Sequence, residues 1–140
     1  MITLTNIDLS KLDFAAEQII NNSNGFTIWA FYGDMGSGKT TIIARIAKLL
    51  GTKIEASSPT FAIINEYPLN SGKSIFHIDC YRLKNIYEAI DIGIEEYLNK
   101  DDYIFIEWPE ILEPLLQYYD YYKIQIIKSD ISNRIISIFV

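Results

Sequence analysis

The sequence predicts an α/β fold, a mixed parallel and antiparallel central sheet between two helical layers, and three observations predict it. First, a strand-like run at residues 26–32 leads through a glycine-rich turn into a helix-like stretch at 39–50, the strand, loop and helix order of a parallel sheet. Second, strand-like runs at 61–67 and 74–79 enclose a short turn, and runs at 121–127 and 134–140 enclose a polar one, which makes two antiparallel hairpins. Third, 27 isoleucines and 10 tyrosines favour strands wherever their spacing permits. With 140 residues, 49% hydrophobic and 21% charged, the chain reads as one domain, 1–140, around one core.

Taken in order, residues 9–20 place Leu12, Phe14, Ala15, Ala16, Ile19 and Ile20 at helical spacing, with Ser10 as the expected N-cap. Residues 21–25 end that helix. The run 26–32 is apolar, aromatic or β-branched almost throughout, as in a strand buried on both faces. In 39–50, Ile42, Ile43, Ile46, Ala47, Leu49 and Leu50 recur at helical spacing, and Gly51 supplies the left-handed end. Pro68 and Gly72 mark the turn of the first hairpin. Residues 85–98 carry a weaker helical pattern broken by Gly93, and 103–106 form a short apolar strand that stops at Glu107, Trp108 and Pro109. A short helix near 111–117 precedes the second hairpin, whose turn is 128–133.

Charge and composition exclude several functions. Twelve basic against 18 acidic residues give a net charge of −6, whereas an independent nucleic-acid binder presents a basic face. Autonomous RNA binding is therefore disfavoured. Cys80 is alone, so neither an intramolecular disulfide nor a cysteine-rich metal site is available. Residues 1–10 lack the basic and apolar regions of a signal peptide, and no apolar run approaches the roughly 18 to 20 residues of a membrane span. The expected location is cytoplasmic, without a membrane partner.

Gly33, Asp34, Met35, Gly36, Ser37, Gly38, Lys39 and Thr40 fit the pattern Gly, four residues, Gly, Lys, Ser/Thr, and Thr41 adds a hydroxyl. Glycines at 33, 36 and 38 allow backbone angles and close approaches that a Cβ would block, so successive N–H groups can surround phosphate oxygens. Lys39 reaches the β and γ phosphates, Thr40 offers its hydroxyl to Mg²⁺, and the helix behind points its positive end at the anion. Thr41 supports the α phosphate. By chance this composition yields the pattern in about 0.003 of chains of this length. The plain alternative is a glycine turn with an exposed lysine. The expected ligands are ATP, or another nucleoside triphosphate, and Mg²⁺, and the fold narrows to the P-loop NTPase type.

Hydrolysis also needs a carboxylate for the metal or its waters and a group that orients the attacking water. Asp79 ends the run 74–78 and Glu107 ends 103–106, and ligands of an α/β sheet gather at the carboxyl ends of its parallel strands. Either acid is otherwise a solvated strand-end carboxylate or a cap. Ser57, Ser58, Pro59 and Thr60 form a polar stretch where nucleotide hydrolases carry a γ-phosphate sensor, or simply a turn. His77 and Arg82 flank Asp79 and are in range to act on the nucleotide, but a lone histidine in an apolar strand more often packs with a hydrogen bond. Trp108 shields the site, meets a partner or simply packs, and Tyr118, Tyr119, Tyr121 and Tyr122 read as structural.

Together, the loop 33–41, Ser58, Pro59, Thr60 and Phe61, then His77, Ile78, Asp79, Cys80, Tyr81, Arg82 and Leu83, and finally Ile106, Glu107, Trp108, Pro109 and Glu110 resemble the TsaE (YjeE) family. That family is the small ATPase of bacterial threonylcarbamoyladenosine synthesis on tRNA, and the likeness spans nearly the whole chain in order and spacing. The resemblance implies that Lys39 and Thr40 bind phosphate and Mg²⁺, that Glu107 is a metal-side carboxylate, that Asp79 is needed for hydrolysis, and that Thr60 lies in a switch-like segment. It implies TsaD and TsaB as partners, with tRNA reached only through them and this ATPase resetting the complex between turnovers. Met35 and Ser37 stand where many relatives have Leu and Ala, and Cys80 where many have Leu. A nucleotide role for Arg134 rests on a weaker likeness. Two other functions use the same loop: a small-molecule kinase, disfavoured because Arg45, Arg82 and Arg134 are too scattered to form a lid, and a nucleotide-sensing module without turnover.

Overall fold

A computed structural model describes residues 1–57 and 63–140, so the predicted start of the second strand and the residues Ser58, Pro59, Thr60 and Phe61 lie outside the described residues. The chain runs through β1 (Ile2–Ile7), a 3₁₀ turn (Leu9–Lys11), α1 (Leu12–Asn21), β2 (Ile28–Tyr32) and α2 (Lys39–Leu50). It continues through β3 (Ile64–Pro68), β4 (Ser74–Asp79), α3 (Ile86–Asp91), α4 (Ile94–Leu98) and β5 (Tyr103–Glu107). A second 3₁₀ turn (Pro109–Leu112), α5 (Glu113–Leu116), β6 (Tyr121–Lys128) and β7 (Arg134–Phe139) complete it.

The strands form one seven-stranded sheet in the order β1-β7-β6-β2-β5-β4-β3. Strands β6, β2, β5 and β4 are parallel, β3 on one flank is antiparallel to β4, and on the other β7 is antiparallel to both β6 and β1. The mixed sheet and both predicted hairpins are thus present. Alternation along each strand divides the core in two. Trp29, Phe31, Ile75 and Phe105 pack with Ala15, Ala16 and Ile19 of α1 and Ile42, Ile43 and Ile46 of α2. Ile28, Ile78, Ile104 and Ile106 pack with Ala89, Ile94, Leu98, Leu112 and Leu116 of the short helices on the opposite face. A strand covered on both faces has no polar side to show, which is why 28–31 is apolar at every position.

Strand β1 is not among the sequence expectations. Its alternating Ile2, Thr3, Leu4 and Thr5 pair with β7 through Ile2↔Ile138, Thr3↔Ser137 and Leu4↔Ile136, a register that only the folded hairpin supplies. The expected Ser10 cap is also corrected. Asp8 caps the 3₁₀ turn, accepting from Ser10 N at 3.0 Å and Ser10 Oγ at 2.5 Å, and these donors hold its carboxyl below the usual range. Gly51 at φ 109° ends α2 and Gly93 at φ 83° separates α3 from α4, both as expected. Tyr122 is buried and donates to Ile19 O at 2.7 Å, but Tyr118 is 79% exposed and packs into neither core cluster. Among the described residues no helix is long and apolar enough to cross a membrane.

Trp29 sits at the centre of the larger core, 4.7 Å from the Phe105 ring and 5.2 Å from the Tyr122 ring, with Nε1 donating to Phe26 O at 2.7 Å. Trp29→Ala is expected to destabilise the fold by about 3–5 kcal/mol. Chemical denaturation measures this, and a loss below about 1 kcal/mol contradicts the packing described.

Candidate functional site

Strand β2 ends at Tyr32, and residues 33–38 carry the chain over the carboxyl edge of the sheet into α2. Gly33 is required by close approach: a Cβ there would lie 2.6 Å from Ser37 Oγ and 2.7 Å from Ile126 O. Gly38 is required by conformation, since it opens α2 at φ 103° and brings no side chain to the helix cap. The first amides of α2 are therefore left to whatever anion occupies this end. Arg134 of β7 ties the loop to the second hairpin, with Nε donating to Ser37 O at 2.7 Å and Nη2 to Gly36 O at 3.4 Å. A peptide plane carries C=O and N–H on opposite sides, so holding these carbonyls fixes where the Ser37 and Gly38 amides point.

Lys39 is only 5% exposed. Its ammonium donates to Gly33 O and to Asp34 O, the latter at 3.3 Å, and lies 3.7 Å from the Trp108 ring centroid. Burial pushes its pKa below the ordinary lysine value, against the pull of Glu107, Glu110, Asp79 and Asp34. Burial likewise raises the Glu110 carboxyl above its usual range. Trp108 reaches the ammonium from a left-handed backbone, φ 54° and ψ 55°, directly before Pro109. For a bulky residue that conformation costs on the order of 1–3 kcal/mol, and its return is an indole face over the lysine with Tyr81 5.0 Å away. Of the three sequence readings of Trp108, this geometry agrees with shielding.

Below the lysine, Thr40 Oγ1 is 3.0 Å from each oxygen of the Glu107 carboxylate, itself 3% exposed. His77 Nε2 lies 2.5 Å from Glu107 Oε2, and its Nδ1 lies 3.0 Å from Tyr67 Oη. His77 is fully buried and does not line the cavity, which matches its reading as a packed, hydrogen-bonded residue. Asp79 stands beside Glu107 in the β4–β5 register and accepts from Tyr81 N at 3.0 Å. One cavity of about 360 Å³ gathers Asp34 to Thr41 of the loop with Asp79, Glu107, Trp108 and Arg134. Both strand-end acids picked from sequence therefore face the loop. Arg82 is exposed and lies off this cavity, and Thr60 falls outside the described residues. Next to Asp79, the Cys80 thiol is 2% exposed, and burial with the Asp79 and Glu110 charges pushes its pKa up to about 12.

A second cavity of about 440 Å³ adjoins Gly38 and Thr41 and is lined by Ile7, Leu9, Leu12, Ile126 and Ile131 with Asp8, Ser10 and Arg134. Of its lining, sequence singles out Ser37, Gly38, Thr41 and Arg134 for the site. The β1–β7 pairing, with Ile7 opposite Arg134, brings residues 7–12 beside 126–136, and a local sequence signal is Ile131, an apolar residue within a polar turn.

A family model described as "Threonylcarbamoyl adenosine biosynthesis protein TsaE" matches residues 8–136. The chain is similar to the tRNA threonylcarbamoyladenosine biosynthesis protein TsaE of Synechocystis sp., 36% identical over 113 residues, 77% of this chain and 70% of the relative. It is 38% identical over 109 residues to the TsaE protein of Borreliella burgdorferi, 71% of this chain and 78% of that one. Against the TsaE protein of Haemophilus influenzae it is 40% identical over 78 residues, 56% of this chain and about half, 49%, of the relative. The crystal structure of Bacillus subtilis YdiB matches with a TM-score of 0.71 over 98% of this chain and 83% of that one, at 24% identity, a likeness of fold.

Gly33→Ala is expected to destabilise the chain by about 1–3 kcal/mol through overpacking. Adding Ser37→Ala recovers only part of the loss, because Ile126 O is main chain. Thermal denaturation of both variants checks this, and a wild-type midpoint for Gly33→Ala alone contradicts it.

Proposed function

Because this chain belongs to the TsaE family of threonylcarbamoyladenosine biosynthesis proteins, we propose that its part in that tRNA modification is Mg²⁺-dependent hydrolysis of ATP. The observation that carries the proposal is that one cavity gathers the loop with a buried cation, Lys39, and with the Thr40 hydroxyl in contact with the buried Glu107 carboxylate. A buried ammonium held, among the described residues, by carbonyl oxygens and an indole face is poorly matched to its surroundings, and a polyphosphate supplies the missing negative charge.

The donor set suits Mg²⁺. Thr40 and Glu107 offer hard oxygen ligands, and Asp79 stands next to them. Among the described residues no three His, Cys, Asp or Glu side chains converge as a metal cage, and Mg²⁺ is commonly held by one or two carboxylates together with substrate phosphates. When bound, the ion neutralises charge on the β and γ phosphate oxygens. The loop amides and Lys39 bind those phosphates, and Arg134 keeps the loop in shape. The apolar groove beside Gly38 and Thr41 receives the nucleoside. Asp79, partly exposed in the cavity, orients the attacking water and takes up its proton.

The partners follow from the family likeness: TsaD and TsaB in the cytoplasm, with tRNA reached through them. A net charge of −6 fits a component that leaves RNA contact to others. ATP turnover then resets the complex while the threonylcarbamoyl transfer takes place elsewhere.

Nucleotide at 100 times its dissociation constant adds about 2.7 kcal/mol, raising the melting temperature of a domain this size by roughly 5 to 10 °C. Lys39→Ala is expected to abolish that shift, and no shift in the wild type with any nucleotide refutes the proposal. Asp79→Ala is expected to keep the shift and lose phosphate release with Mg²⁺. Unchanged release reassigns Asp79.

A further inference from the structure

Tyr67, His77 and Glu107 step across three adjacent strands on one face of the sheet. In the β3–β4 register His77 lies opposite Asn65 and Tyr67 opposite Ile75, and in the β4–β5 register His77 lies opposite Phe105 and Asp79 opposite Glu107. Each link is thus a diagonal neighbour, within reach of aromatic and long side chains. All three residues are buried, at 3%, 0% and 3% exposure. The chain of contacts runs from Thr40 through Glu107 and His77 to Tyr67, whose hydroxyl donates to Ser57 O at 2.8 Å and accepts from Ser57 N at 3.2 Å.

We propose that His77 and Tyr67 are positioning residues, which aim the Glu107 carboxylate at Thr40 and couple its direction to the main chain at Ser57. The proposal rests on the reading of this cavity as a Mg²⁺-nucleotide site. A buried carboxylate with one donor is free to swing about its terminal torsion, which is broad and roughly two-fold. A second donor from a rigid ring removes that freedom. Thr40 and His77 supply two donors from different sides, one on α2 and one on β4. The imidazole in turn has its other nitrogen held by Tyr67, and a held second nitrogen fixes ring orientation. Tyr67 has one hydroxyl proton and two acceptors in reach, Ser57 O and His77 Nδ1. A displacement of the main chain at Ser57 therefore changes what the ring receives, and the ring passes that change to Glu107. Ser57 opens the polar stretch that sequence singles out as a γ-phosphate sensor, so the link joins two parts of the site that are far apart in the chain.

The test compares wild type, Tyr67→Phe, His77→Gln and His77→Ala. ADP affinity measured by calorimetry without metal is expected to stay within about twofold, whereas the Mg²⁺ concentration that half-saturates the metal's effect on that affinity rises about tenfold in His77→Ala. His77→Gln, whose amide nitrogen can still donate to Glu107, recovers most of that loss, and Tyr67→Phe shows an intermediate rise. An unchanged Mg²⁺ requirement in both His77→Ala and Tyr67→Phe overturns the proposal, as does a glutamine variant no better than alanine. Should His77→Ala fail to fold, Tyr67→Phe decides alone, because it keeps the ring and its packing. A second arm needs neither metal nor nucleotide: Glu107→Gln is expected to shift the Ser57 amide resonance in the free protein, and an unmoved resonance also overturns the coupling. If the wild type shows no metal effect on ADP affinity, the nucleotide reading fails, while this second arm still decides whether the chain of contacts transmits.

Discussion

Burying the Glu107 carboxylate at 3% exposure imposes a condition on everything around it. An ionised group away from water must have its oxygens occupied by donors, or the fold loses several kcal/mol. The occupants come from two separate elements, the hydroxyl of Thr40 at the start of α2 and the imidazole of β4, and the phenol of β3 meets the imidazole from behind. Satisfying one acid therefore draws the glycine loop, the central strands and the flanking hairpin into a fixed relation. The sheet order makes this possible, because β2 and β4 are the two neighbours of β5, so the loop and the histidine approach from opposite sides.

The cation above is held on different terms. Lys39 shares its cavity with several acids, yet its direct partners are two carbonyl oxygens of its own loop and the Trp108 face. Its desolvation is thus only partly offset, which is the direction its pKa takes. The strained backbone of Trp108 is of a kind that gathers where function requires it. The carboxylate has partners in Thr40 and His77, whereas the ammonium meets carbonyl oxygens and an indole face, which leaves the loop suited to an added anion.

Much of this was legible in the sequence, because it depends on short-range pattern. The run 28–32, the loop glycines and the 3.6-residue spacing of Ile42, Ile43 and Ile46 are local, and the strand, turn and helix appear where they point. Asp79 and Glu107 were legible for a related reason: an abrupt acid after an apolar run marks the edge of a sheet. What was not legible depends on register. Nothing near Tyr67 in the chain shows that it is one diagonal from His77, nor near Leu9 that it borders Gly38 and Thr41. Strand β1 escaped for the same reason, since Ile2 and Leu4 gain their meaning from Ile138 and Ile136. The N–H and hydroxyl of Ser10 both donate to Asp8 at the start of the 3₁₀ turn, and the cap position of α1 falls on Lys11, which makes no side-chain cap bond.

The state of Cys80 has a practical side. A thiol whose pKa burial pushes up to about 12 is almost wholly protonated near neutral pH, and the thiolate is the form that alkylating agents and oxidants attack. At 2% exposure it is also sterically shut. The chain thus has no competing sulfur for maleimide chemistry, although it retains its native cysteine. A cysteine introduced at an exposed place such as Tyr118 or Ile131 would take a fluorophore or spin label at one defined point, so distances across the protein can be followed without first rebuilding the strand end beside Asp79.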